Sequence, residues 1–83
     1  MATWDWSHGS VLAGADVSVT INDAPCENVT VTLTIDGAEV ATGQVGSPPG
    51  SVRLPVPDDA RGKHYVIKVS CDGQSDSQNG TVG

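Results

Sequence analysis

The sequence predicts an all-β fold, an antiparallel β-sandwich of about seven strands, from three observations. Its 83 residues include 10 glycines and 5 prolines, and the longest stretch without either is residues 26–36, which leaves little room for helices of ordinary length. Apolar and polar residues alternate with a period of two in that stretch and in several others. The chain has no phenylalanine and is rich in valine and threonine, which favour strands.

Short segments with this alternation follow one another along the chain. In residues 29–35, Val31 and Leu33 point to one face while Thr32 and Thr34 point to the other, as in a half-buried strand. The predicted strands are residues 3–6, 11–13, 17–21, 29–35, 38–45, 51–56 and 64–71, with one more near the C-terminus. Turns separate them at regular spacing, which is typical of an antiparallel sandwich, and we expect one domain over residues 1–83.

The dipeptide Asp36-Gly37 predicts a tight hairpin. It lies between two strand-like segments and suits a type I′ turn, which needs positive φ at both central residues. The implied register pairs Ile35 with Ala38 and Leu33 with Val40, and both pairs put apolar groups on one face.

A second dipeptide, Asp72-Gly73, precedes a segment without apolar residues, 74–79. A two-residue turn there would place Asp76 opposite Val69 and Gln78 opposite Ile67. We therefore expect a wider turn, or a final strand held mainly by backbone hydrogen bonds. The polar tail, residues 74–83, should be held as the last strand or by a neighbouring subunit, because such tails usually fray when free.

Pro55 and Pro57 indicate a sheet edge. Residues two apart direct their backbone N–H groups to the same side of a strand, and both prolines lack this donor. One side of the predicted strand 51–56 therefore cannot pair, and the prolines protect that edge from adding a foreign strand.

The segment Gly62-Lys63-His64-Tyr65-Val66-Ile67-Lys68-Val69 resembles the penultimate strand of immunoglobulin-like domains, where a loop glycine leads into a tyrosine and an alternating apolar strand. With strand 29–35 and the proline-guarded edge, the similarity extends to most of the chain. Antibody-type domains have the tyrosine two residues before the second cysteine and a tryptophan in the third strand. This chain has neither, so it resembles the looser immunoglobulin-like modules of bacterial surface and phage virion proteins. The resemblance implies a binding or assembly role and carries no catalytic residue.

The two cysteines, Cys26 and Cys71, are expected to form a disulfide. In an immunoglobulin-like sandwich the strand after Cys26 and the strand that ends at Cys71 are antiparallel neighbours, so the sulfurs would meet at one end. Such a bond would stabilise a small domain by roughly 4 kcal/mol. Two buried free thiols are the alternative.

Trp4 and Trp6 lie on one face of a predicted strand, because their spacing is two. Three interpretations remain open: the indoles fill a core that has little other aromatic volume, anchor a protein interface, or form a stacking platform for sugar rings.

Charge and motifs exclude several classes of function. A net charge of −6 repels phosphate backbones and anionic lipids, so we expect no nucleic acid partner. No apolar run approaches the roughly 18 residues of a spanning helix, and residues 1–10 lack a secretory pattern, so we expect no membrane insertion. Cys26, Cys71, His8 and His64 lack zinc spacing, and Asp58-Asp59 and segment 72–76 match no calcium loop. With no catalytic motif either, we expect no enzyme, no metal and no cofactor.

The function predicted from these observations is a non-enzymatic decoration or accessory subunit on the outside of a virion or other large assembly. Its partners would be another protein or copies in the assembly. We expect it on the virion surface or outside the cell, reached after removal of a leader or by release at lysis. The alternative is a carbohydrate-binding module that uses Trp4 and Trp6.

Overall fold

The computed structural model describes residues 3–83, and this part of the chain forms seven antiparallel strands in two sheets, as the sequence predicts. Met1 and Ala2, which the predicted domain 1–83 includes, lie outside the described residues. The strands are β1 (Asp5–His8), β2 (Asp16–Asp23), β3 (Val29–Ile35), β4 (Ala38–Val45), β5 (Gly50–Pro55), β6 (His64–Cys71) and β7 (Gln74–Thr81), with a short 3₁₀ turn at Asp58–Ala60.

The two sheets have the orders β1-β2-β5 and β4-β3-β6-β7. In constant-type immunoglobulin domains the fourth strand belongs to the sheet of the first strand. Here β4 instead stays hydrogen-bonded to β3, from which the Asp36-Gly37 hairpin leads. One sheet therefore has four strands and presents a broad outer face.

The core is made by the inward positions of every second residue, and valine dominates it. Leu33 faces Ile67 and Val31 faces Val69 across β3 and β6, and all four side chains have no exposed surface. The largest side chains that are fully buried are Val17, Val19, Ile21, Val29, Val31, Leu33, Leu54, Ile67 and Val69. Small β-branched side chains from both sheets thus make up most of the core.

The first hairpin has the predicted turn but a different register beyond it. Asp36 and Gly37 have φ of 49° and 84°, and Ile35 pairs with Ala38. The predicted pairing of Leu33 with Val40 is wrong, because a bulge shifts the register and Leu33 pairs with Ala41.

This bulge keeps polar side chains out of the core. Without it, Thr42 and Gln44 would point inward opposite Val31 and Val29. With it, Gly43 and Val45 take those positions, and burial of an unpaired amide is avoided. Gly43 is needed there, since a Cβ at this residue would lie 2.6 Å from Val52 Cγ2.

The N-terminal predictions need two corrections. The first strand is Asp5–His8 rather than residues 3–6, because pairing with β2 begins only at Asp5. Residues 11–13 are not a strand. They instead bind the C-terminus through two hydrogen bonds, from Ala13 N–H to Gly83 O (3.0 Å) and from Gly83 N–H to Val11 O (2.9 Å).

The second hairpin corrects another expectation, because its turn has two residues rather than more. Asp72 and Gly73 have φ of 48° and 78°, and β7 pairs with β6 along its whole length, so that Asp76 lies opposite Val69. A last strand held by backbone pairing, the other expectation, is confirmed. The polar tail is therefore ordered by the chain itself.

The predicted proline-guarded edge is confirmed. β5 is the outer strand of its sheet and pairs only with β2 among the described strands. Val56 donates its N–H inward to Ala15 O at 3.2 Å, so Pro55 and Pro57 occupy the positions whose N–H would point outward.

Candidate functional site

A seam of polar and aromatic side chains joins β1 of one sheet to β7 of the other. Trp6 is 7% exposed, and its indole N–H donates to the Asp76 carboxylate at 2.9 Å. The Gln78 amide donates to Trp6 O at 3.4 Å. Asp76 and Gln78 point toward the core side of β7, where the sequence offers no apolar residue, and these bonds give them partners. The sequence carries no local signal for this pairing, because the groups are 70 and 72 residues apart.

Aromatic rings extend the seam along β6. The His8 ring lies 5.7 Å from the Tyr65 ring in an edge-to-face arrangement and 6.4 Å from Trp6. Gly80 makes room for Tyr65, since a Cβ there would lie 2.8 Å from the tyrosine oxygen. The scarce aromatic volume of this chain is therefore concentrated where the two sheets close.

Trp4 and Trp6 do not form a pair of exposed indoles. Trp6 belongs to the core and Trp4 is half-buried against it. Of the three interpretations that the sequence left open, core filling is the one that this arrangement of Trp6 fits, and its indole nitrogen is already engaged by Asp76.

The Trp6–Asp76 hydrogen bond supports a double-mutant cycle. In Trp6→Phe, Asp76→Ala and the double variant, we expect a coupling free energy of about 1 kcal/mol, since the hydrogen bond involves a charged acceptor but lies partly in solvent. Urea unfolding curves of the four proteins measure it. If the losses of unfolding free energy in the two single variants simply add up in the double variant, this hydrogen bond does not join β1 to β7.

Cys26 and Cys71 form the predicted disulfide, with a Cα–Cα distance of 6.1 Å. Cys71 ends β6, and Cys26 lies in the connection that carries the chain from β2 in one sheet to β3 in the other. The disulfide therefore ties the β2–β3 connection, where the chain passes from one sheet to the other, to the end of the four-stranded sheet.

The outward side of that sheet is a flat surface of short side chains, which we call the outer face. The pairing places Thr32 between Thr42 of β4 and Lys68 of β6, and Lys68 next to Ser77 of β7. The central members of the outer face are Thr30, Thr32, Thr34, Glu39, Thr42, Gln44, Val66, Lys68, Ser70, Ser75, Ser77 and Asn79. Lys68 and Glu39 are the charged side chains among these members, one of each sign.

A shallow polar cleft of about 440 Å³ lies at the disulfide end of the outer face. It is lined by Thr30, Lys68 and Ser70 and by the turn of the second hairpin. The cleft offers hydroxyl and amide groups with one ammonium and one carboxylate, from Lys68 and Asp72.

Residues 3–83 lack two further features, a metal-ligand cluster and a membrane-spanning helix. No three or more His, Cys, Asp or Glu side chains in this range come together in a way that would hold a metal ion. No helix in the same residues has the length and apolar character needed to span a membrane.

The fold defines a class, a small antiparallel β-sandwich with one disulfide. Comparison of the chain with protein-family models, with curated proteins and with solved structures found no match in any of the three.

Proposed function

We propose that this chain is a non-enzymatic interaction module, a decoration or accessory subunit on the outside of a virion or other large assembly, which docks through its outer face. The observation that carries the proposal is the composition of that face. Threonine and serine lose little rotamer entropy when a partner covers them, whereas long charged side chains lose up to about 2 kcal/mol each. Charged residues are also depleted at the centres of protein interfaces.

The outer face differs in charge from the rest of the protein surface. The chain has ten acidic and four basic side chains, but the central members of the outer face contribute only Glu39 and Lys68. A patch whose two charges cancel, on a strongly acidic protein, favours a protein partner rather than nucleic acid, which the net charge of −6 repels.

The size of the outer face suits repeated weak contacts. Four strands about 4.8 Å apart, each seven to eight residues long at about 3.3 Å per residue, give a face of roughly 450 Å². A standard stable interface buries about 800 Å² on each partner. A single copy would therefore bind weakly, while many copies on one assembly would gain by avidity.

The alternative, a carbohydrate-binding module that uses Trp4 and Trp6, has less support. A stacking platform needs exposed ring faces, and Trp6 is 7% exposed with its N–H bound to Asp76.

The proposal is tested on particles from the native source. In density-gradient fractions we expect the chain to travel with large particles, and an antibody should reach it on intact ones. After the chain is removed from the particles, added wild-type protein should rebind. The affinity of the Thr32→Arg variant should be lower by about tenfold or more, because the substitution places a long charged side chain on the outer face.

The matched control is Ser18→Arg, which adds the same side chain at an exposed position of β2 on the other sheet. It should rebind like the wild type. A chain that sediments alone as a small free protein, or a Thr32→Arg variant that rebinds normally, would contradict the proposal.

A further inference from the structure

The two sheets have four outer strands, and three of them carry features that discourage pairing with another chain. β5 has Pro55 and Pro57, β4 has the bulge near Val40, and β1 is only four residues long with an irregularity next to Asp5. β7 has eight residues in unbroken register with β6, without proline or lysine. It is the least protected edge of the described structure.

The direction of the backbone groups of β7 follows from its hairpin. In a two-residue turn the closing pair, Cys71 and Gln74, exchanges hydrogen bonds, so even-numbered residues of β7 direct their backbone groups to β6. Ser75, Ser77, Asn79 and Thr81 direct theirs outward. Gly83, next in this series, confirms the direction because it bonds outward to Val11 and Ala13.

We propose that this edge pairs with β7 of a second copy of the chain, antiparallel across a two-fold axis, to give one continuous eight-stranded sheet. Such strand addition uses backbone hydrogen bonds for affinity, and a two-fold axis makes the contact self-complementary. The neutral side chains of β7 allow two identical strands to lie side by side. Its single charged residue, Asp76, is turned away toward Trp6 Nε1.

Two features select the register. An axis at Asp76 would set two carboxylates directly opposite each other, which is unfavourable. An axis at Gln78 would bring the partner's turn against residues 11–13, which already occupy the edge at Gly83. An axis at Ser77 avoids both, pairs Ser75 with the partner's Asn79, and sets Asp76 beside the partner's Gln78, whose amide is a donor.

This pairing has a consequence for docking. Both outer faces would lie on the same side of the joined sheet and give a flat surface of roughly 900 Å², which reaches the size of a standard interface. This consequence rests on the proposed docking function, whereas the pairing itself does not.

The first test is the molar mass of the purified chain in solution, by light scattering and sedimentation up to millimolar concentration. We expect a reversible monomer–dimer equilibrium. Ser77→Pro removes one outward N–H and no β6–β7 hydrogen bond, so it should raise the dissociation constant at least tenfold with an unchanged circular dichroism spectrum. Ser77→Ala keeps the N–H and should dimerise like the wild type.

The second test reads the register with a short bifunctional maleimide, which leaves the native disulfide intact. In Ser77→Cys the two thiols would lie on a hydrogen-bonded pair with Cα atoms about 5.5 Å apart, and we expect cross-linked dimers. In Ser75→Cys the two Cα atoms would be roughly 14 Å apart, so little product should form.

A chain that stays monomeric, a Ser77→Pro variant that dimerises normally, or cross-linking as efficient at Ser75→Cys as at Ser77→Cys would overturn the pairing. None of these outcomes would affect docking through the outer face, which the rebinding of Thr32→Arg and Ser18→Arg tests separately.

Discussion

Replacing both Cys26 and Cys71 with alanine is expected to lower the free energy of unfolding by about 4 kcal/mol and the melting temperature by roughly 15–30 °C. The disulfide closes a loop with a sequence separation of 45 residues, so its loss restores much conformational freedom to the unfolded chain. For a domain of this size that is a large share of the total stability. Thermal and urea unfolding, followed by tryptophan fluorescence, measure the change.

Reduction of the wild type provides the control for this prediction. The reduced wild type should approach the stability of the double alanine variant, and the variant should not respond to reductant. A variant that unfolds within about 1 kcal/mol of the oxidised wild type would show that the two sheets hold together without the bond.

Leu33→Ala is expected to have the other large effect, a loss of about 2–5 kcal/mol. Leu33 has no exposed surface and packs opposite Ile67 in the centre of the four-stranded sheet. A core of small valine side chains has few long groups that can move into the vacated space, so we expect a value in the upper half of this range.

The matched control is Thr32→Ala, one residue earlier on the same strand. Thr32 points to the outer face, and its truncation should change stability by less than about 1 kcal/mol. Urea unfolding of both variants measures the contrast. Similar losses at Leu33 and Thr32 would mean that the two faces of β3 do not differ as the burial pattern indicates.

Much of the fold is predictable from local sequence. The alternation in residues 29–35 and 64–71 identifies β3 and β6 with the observed bounds, because a side-chain period of two specifies both a strand and its buried face. The Asp36-Gly37 dipeptide identifies the first turn, because few other residues tolerate positive φ at consecutive positions. Asp72-Gly73 marks the place of the second turn, but the polar segment after it predicts a wider turn than the two residues observed.

Three features of the fold were not predictable in this way. The bulge in β4 depends on which of Thr42, Gln44 and Val45 meets the opposing sheet, and local alternation does not reveal it. The tight turn before β7 sets Asp76 and Gln78 on the core side of the strand, where Trp6, about 70 residues away, bonds to both while Asp76 stays exposed to solvent. Residues 11–13 have the composition of a strand but pair with Gly83 through two backbone hydrogen bonds and with none of the described strands.

The candidate surfaces, too, were predictable from the sequence only in part. The threonines of β3 predict a polar face from sequence alone, yet its width depends on β4 joining the same sheet as β3. The proline-guarded edge of β5 was predictable because proline lacks a donor wherever it lies. The unprotected edge of β7 was not predictable, because it is recognised only by comparison with the prolines of β5, the bulge of β4 and the irregularity of β1.

The sequence by itself determined most of the strands, the faces they bury, the turn of the first hairpin and the proline-guarded edge, because each depends on the stereochemistry of a few neighbouring residues. Only the tertiary structure decided the bulged register of β4, the partners of Asp76 and Gln78, the burial of Trp6 and the exposure of the outer face and the β7 edge. These depend on packing and hydrogen bonds between segments that are distant along the chain, and local sequence patterns do not record such contacts.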